Sequence, residues 1–96
     1  MRIKVKGYLT FREVIGDRQL QFDQGETVTI YDLLVKLSPE CGGEFEETVF
    51  DPETKGVSQY VAILINGSHY SHLPDRLDTE LRDQDEVAIF PPTAGG

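Results

Sequence analysis

Apolar residues recur in this 96-residue chain with two different periods, and that pairing restricts the fold more than any other feature. From Arg2 to Phe11 the odd positions Ile3, Val5, Gly7, Leu9 and Phe11 are apolar or small, with Arg2, Lys4, Lys6, Tyr8 and Thr10 between them. Side chains alternate across a strand, so this spacing predicts a half-buried strand with Ile3, Val5 and Leu9 inside and Tyr8 outside. At Ile30, Leu33, Leu34 and Leu37 the spacing becomes i, i+3, i+4 and i+7, the stripe of an amphipathic helix. Thr29 is placed to cap its first turn while Asp32 reaches back, and Pro39 is expected to stop it. A chain with one such stripe among strand-like segments must lay one main helix on one face of a sheet.

The other segments complete that layout. Gly16-Asp17 interrupts the first pattern, and Gln19 to Asp23 places Leu20 and Phe22 at period two, which predicts a hairpin closed by a longer loop. After Cys41-Gly42-Gly43, Phe45 and Val49 predict a short, weaker helical turn, and Asp51 to Gly56 reads as a turn or small loop. Tyr60 to Ile65 is an unbroken apolar run, expected of a strand buried on both faces, and Asn66-Gly67 after it signals a tight turn. A looser stretch with Leu73, Pro74, Leu77 and Leu81 leads through the acidic turn Asp83-Gln84-Asp85 to a last strand, Glu86 to Phe90. There Val87 and Ile89 face one way, Ala88 and Phe90 the other. The predicted fold is α+β: a mixed sheet of four to five strands on one main helix, with residues 1–90 as the domain and 91–96 as an extended, flexible C-terminal tail.

Composition removes whole classes of function. Nine basic residues against 17 acidic give 9 − 17 = −8, which argues against direct nucleic-acid binding and for a protein partner with a basic face. The outward face of the first strand, with Arg2, Lys4 and Lys6, is expected to be locally basic. The run from Tyr60 to Ile65 is far below the roughly 20 residues of a membrane span, and the N-terminal alternation is not that of a signal peptide, so a cytoplasmic protein is expected. Cys41 stands alone, which excludes an internal disulfide and a cysteine-based zinc site, and its neighbours in sequence do not activate a thiol. His69 and His72 lack a third ligand, and Asp83, Asp85 and Glu86 lack the spacing of a calcium loop, so no metal is expected. The sequon Asn66-Gly67-Ser68 lies in a tight turn and is discounted. With no catalytic constellation and no glycine-rich phosphate loop, the chain reads as a non-enzyme that binds no ATP or other cofactor itself.

The chemistry then falls to the end of the chain, Pro91-Pro92-Thr93-Ala94-Gly95-Gly96. Two prolines favour an extended direction, and six extended residues reach at most about 20 Å. Gly95 and Gly96 have no Cβ, so the thread is thin enough to enter a narrow channel, and the reactive group it delivers is the Gly96 carboxylate. Strand parity puts Tyr8 and Phe90 on one face near the root of this tail, where two exposed aromatics would anchor a partner.

Four segments resemble the MoaD/ThiS-like small sulfur carriers, a ubiquitin-like β-grasp family that also takes in the ubiquitin-related modifier and small archaeal modifier proteins. They are Phe11-Arg12-Glu13-Val14-Ile15-Gly16, Ile65-Asn66-Gly67, Leu81-Arg82-Asp83-Gln84-Asp85-Glu86-Val87 and Phe90-Pro91-Pro92-Thr93-Ala94-Gly95-Gly96. The resemblance implies that an E1-like enzyme adenylates Gly96 with its own ATP, and that sulfide from a persulfide donor displaces AMP to leave a thiocarboxylate. It implies further that Pro91 to Gly95 thread into partners and that Phe90 and Tyr8 bind them. The family role put first is the small subunit of molybdopterin synthase, with the large subunit as sulfur acceptor. The alternative is conjugation through Gly96 to target-protein lysines, or sulfur donation to tRNA thiolation. The segment from Ser38 to Ser58 is longer than thiamin-type members need. Gln84 stands where many members have Gly; a left-handed backbone there costs about 1–2 kcal/mol, so a differently shaped turn is expected.

Overall fold

The fold is seen in a computed structural model that describes residues 1–92. Five strands form one mixed sheet in the order β2-β1-β5-β3-β4. They are β1 (Arg2–Gly7), β2 (Asp17–Gln21), β3 (Ala62–Ile65), β4 (Ser68–His69) and β5 (Glu86–Phe90). The two central strands, β1 and β5, run parallel, while β1–β2, β3–β5 and β3–β4 are antiparallel. Helices α1 (Phe11–Val14), α2 (Ile30–Cys41) and α3 (Gly43–Val49) pack on one side, and the core of Ile3, Val5, Leu33, Leu34, Leu37, Phe45, Ile63, Val87 and Ile89 lies between the layers. The expected α+β sheet-and-helix fold is therefore present.

Strand β1 ends at Gly7, four residues before the Phe11 that the alternation predicts. A Cβ on Gly7 would sit 2.3 Å from the Phe11 carbonyl oxygen and 2.7 Å from the Ile15 Cβ, so α1 can fold back on β1 only because residue 7 has no side chain. The turn into α1 places Leu9 at φ 57° and leaves it 55% exposed, whereas it was expected inside. Phe11 keeps its predicted burial, from a helix rather than a strand. The returning strand β2 begins at Asp17 instead of Gln19, because pairing to β1 runs from Lys6↔Asp17 to Arg2↔Gln21.

Helix α2 forms for the expected reasons: Thr29 and Asp32 make a reciprocal capping box, and Ile30, Leu33, Leu34 and Leu37 are buried. Pro39 does not end it. The bond that proline removes would have gone to the carbonyl of Val35, which lies on an exposed turn where water can satisfy it, so the helix continues to Cys41. It stops at Gly42, whose N–H donates to the Ser38 carbonyl at 3.0 Å. Helix α3 is a full element rather than a weak turn, because Phe45 and Val49 are buried in the core and Phe45 meets Phe11.

The run from Tyr60 to Ile65 is not buried on both faces. Helices cover one side of the sheet only, so Ile63 and Ile65 point into the core while Ala62 and Leu64 are half-buried on the open side, and Tyr60 is 70% exposed before the strand begins. Asn66 and Gly67 follow with φ of 50° and 89°, the paired left-handed backbone of a tight hairpin turn. The Asp83-Gln84-Asp85 turn also departs from expectation, since Gln84 adopts φ 71°. Its N–H donates to the Arg2 carbonyl at 2.7 Å, and both flanking carboxylates accept backbone N–H groups, which together hold the strained residue.

Candidate functional site

Parallel pairing of β1 and β5 builds the site. Gly7 is in register with Ile89, and the Tyr8 N–H donates to the Ile89 carbonyl at 3.1 Å, so the next residues, Tyr8 and Phe90, project side by side from the open face. Their rings stack with centroids 4.6 Å apart and planes 9° from parallel. Parity therefore identified the face correctly, but the two aromatics are half-buried rather than exposed, because each ring covers the other. Pro91 is itself buried against the domain and Pro92 is exposed, so the described chain reaches the surface at Pro92. Thr93, Ala94, Gly95 and Gly96, the expected chemical end of the molecule, lie outside the described residues.

Register shows which side chains surround the pair. Ala62 is opposite Phe90, and Leu64 is opposite both Ala88 on β5 and His69 on β4. These extend the aromatic pair into an apolar band across the sheet. The sequence signal for Ala62 and Leu64 was silent, since every residue of that strand is apolar and no alternation distinguishes its faces.

The basic character expected of β1 is largely offset. Lys6 forms an ion pair with Glu86 at 3.0 Å, and the hydrogen bond and charge of Glu86 push the lysine pKa up. Asp17 faces Lys6 across the β1–β2 pairing. Arg2 and Lys4 are exposed on the same strand, so the surface is mixed in sign rather than a basic stripe.

The acidic turn is structural. Asp83 accepts the Arg2 N–H at 2.7 Å, and that bond holds its carboxyl below the usual carboxylate range. Asp85 accepts from the Asn66 side chain at 2.9 Å and from the Arg82 N–H at 2.8 Å. The Asn66 side-chain Oδ1 in turn accepts from the Glu86 N–H, so the turn ties the β3–β4 hairpin to the start of β5.

Cys41 is partly buried, and burial pushes its thiol pKa up, with the Arg18 charge pulling weakly the other way. His69 and His72 have ring centroids 6.2 Å apart, and the His69 Nδ1 accepts the Ser71 N–H at 3.1 Å. Among the described residues no group of three His, Cys, Asp or Glu is placed to hold a metal ion, and no helix is long and apolar enough to cross a membrane.

A five-stranded sheet grasping a helix, with an aromatic pair where the last strand leaves the domain, defines a ubiquitin-like β-grasp protein. The family model described as the ThiS family matches residues 8–96, and the chain belongs to that family of small sulfur carriers and ubiquitin-like modifiers. It is 35% identical over 96 residues, 100% of both chains, to small archaeal modifier protein 3 of Haloferax volcanii. It is 32% identical over 82 residues to a putative sulfur carrier protein of Archaeoglobus fulgidus, covering 85% of this chain and 89% of that one. The solution structure of small archaeal modifier protein 1 from Methanosarcina acetivorans superposes with a TM-score of 0.77 at 31% identity, covering 99% and 96% of the two chains.

Proposed function

We propose that this chain carries sulfur at its C-terminal residue. The carrying observation is that the family match runs from Tyr8 through residue 96, so the aromatic pair and Gly95-Gly96 fall within one matched span. A free carboxylate is a poor electrophile. In the proposed sequence a Gly96 oxygen attacks the α-phosphorus of ATP held by an E1-like enzyme, pyrophosphate leaves, and the acyl adenylate forms. Sulfide then attacks the acyl carbon and displaces AMP, leaving a thiocarboxylate. The Tyr8–Phe90 face would dock the activating enzyme while Pro91 and Pro92 direct the remaining residues toward its nucleotide. Molybdopterin synthase, through its large subunit, is the proposed sulfur acceptor.

A second proposal is conjugation through Gly96 to lysines of target proteins. It is favoured by the full-length match to a relative named as a modifier. Both begin with the same activated carboxylate and differ in whether sulfide or a lysine amine attacks it. Mass spectrometry of the chain from its native host separates them: one oxygen replaced by sulfur supports the carrier, and Gly-Gly remnants on target lysines support the modifier. Finding neither, with no phenotype on deleting Gly96, would rule out both.

A further inference from the structure

A second set of exposed apolar side chains lies on the helical side of the molecule, away from the sheet face. Tyr31 and Val35, one turn apart on α2, are 37% and 48% exposed, although Ile30, Leu33, Leu34 and Leu37 of the same helix are buried. Phe50 meets the Tyr31 ring edge-on, with centroids 6.1 Å apart. With Pro52 they line an open groove of about 740 Å³ between α2, α3 and the loop that follows α3.

The groove has a strongly one-signed surrounding. Glu46, Glu47 and Asp51 line it against a single cation, Lys55. Six of the 17 acidic residues fall between Glu40 and Glu53, a stretch with no Lys or Arg, so much of the net charge of −8 is concentrated here. Asp51 is occupied in closing its own loop, accepting the Glu53 N–H at 2.8 Å. Glu46 and Glu47 are exposed, and the ion pair among the described residues, Lys6–Glu86, is on the opposite face. An apolar floor rimmed by unneutralised carboxylates suits an apolar side chain flanked by positive charge.

We propose that this groove docks a lysine- or arginine-flanked apolar segment of a partner protein. It is a binding surface separate from the Tyr8–Phe90 face and independent of whether Gly96 carries sulfur. Because the two surfaces lie on opposite sides of the sheet, such a partner can stay bound while the C-terminal residues react elsewhere.

The test is an NMR titration of the isotope-labelled full chain with a synthetic peptide holding a Leu-Phe pair between lysines. Two controls replace Leu-Phe with alanines or the lysines with glutamates. The expected result is that shifts centre on Tyr31, Val35, Glu46, Glu47 and Phe50, and that both controls bind at least about ten-fold more weakly. Glu46→Lys with Glu47→Lys, and separately Val35→Ser, should each lower affinity by about ten-fold without altering the fold, since all three residues are exposed. Equal binding of the alanine peptide, or shifts spread over every acidic surface, overturns the proposal by reducing it to general charge attraction. Concentration-dependent shifts without peptide, at the groove and at Arg2 and Lys4, overturn it in favour of a second copy of this chain.

Discussion

Truncating Phe90 to alanine should separate the stability of the site from its use. The ring is half-buried and stacked on Tyr8 at 4.6 Å. A fully buried Phe→Ala change costs about 3–5 kcal/mol, so a half-buried ring should cost about 2 kcal/mol, lowering Tm by roughly 10 °C. Of that, about 0.5–1.5 kcal/mol belongs to the stack and should appear as coupling in a double-mutant cycle with Tyr8→Ala, measured by urea denaturation. Binding should respond more strongly. If the pair is the central anchor for the activating enzyme, each truncation should weaken affinity by about thirty-fold or more, measured by calorimetry at a temperature where every variant is folded. Leu20→Ala, buried on β2, should lose comparable stability and leave affinity unchanged. Coupling below about 0.3 kcal/mol would show that the rings do not support one another. Unchanged affinity in folded Phe90→Ala would remove the anchor altogether.

Three further outcomes are expected. Gly7→Ala drives a Cβ to 2.3 Å from the Phe11 carbonyl oxygen, so it should destabilise the domain by about 3 kcal/mol in urea denaturation; a loss under about 0.5 kcal/mol would mean that α1 does not need its close approach. Gln84→Gly relieves a left-handed backbone at φ 71° but loosens the unfolded chain, for a net gain of about 0.5 kcal/mol and a small rise in Tm; a fall in Tm would contradict the strain. The Asp83 carboxyl has a lowered pKa in the folded state, so its stabilising effect is present above the usual carboxylate range and lost as pH falls through that lower value. Asp83→Asn should accordingly flatten the acid limb of the stability curve, and an unchanged acid limb would show that the Arg2 N–H bond has no thermodynamic effect.

Much of the site was legible because its residues obey strand parity. Val87 and Ile89 inward place Phe90 outward whatever the neighbouring strand does, and Tyr8 follows from Ile3 and Val5 in the same way. Helix α2 was legible because its stripe, cap and first turn are all local. Less legible were the features that depend on which face of the sheet is covered. Leu9 leaves the core because α1 closes over Gly7, and Leu64 faces outward because no helix layer covers that side.

The sequence by itself determined the first and last strands, the capped helix, the hairpin at Asn66-Gly67, the net charge and the Gly95-Gly96 pair, since each depends on residues close together in the chain. Tertiary structure decided what distant segments do to one another. The parallel pairing of β1 with β5 brings Tyr8 onto Phe90, Glu86 onto Lys6 and the Arg2 N–H onto Asp83. Those contacts join residues about eighty positions apart, and a period counted along the chain carries no information about a register set by hydrogen bonds across the sheet.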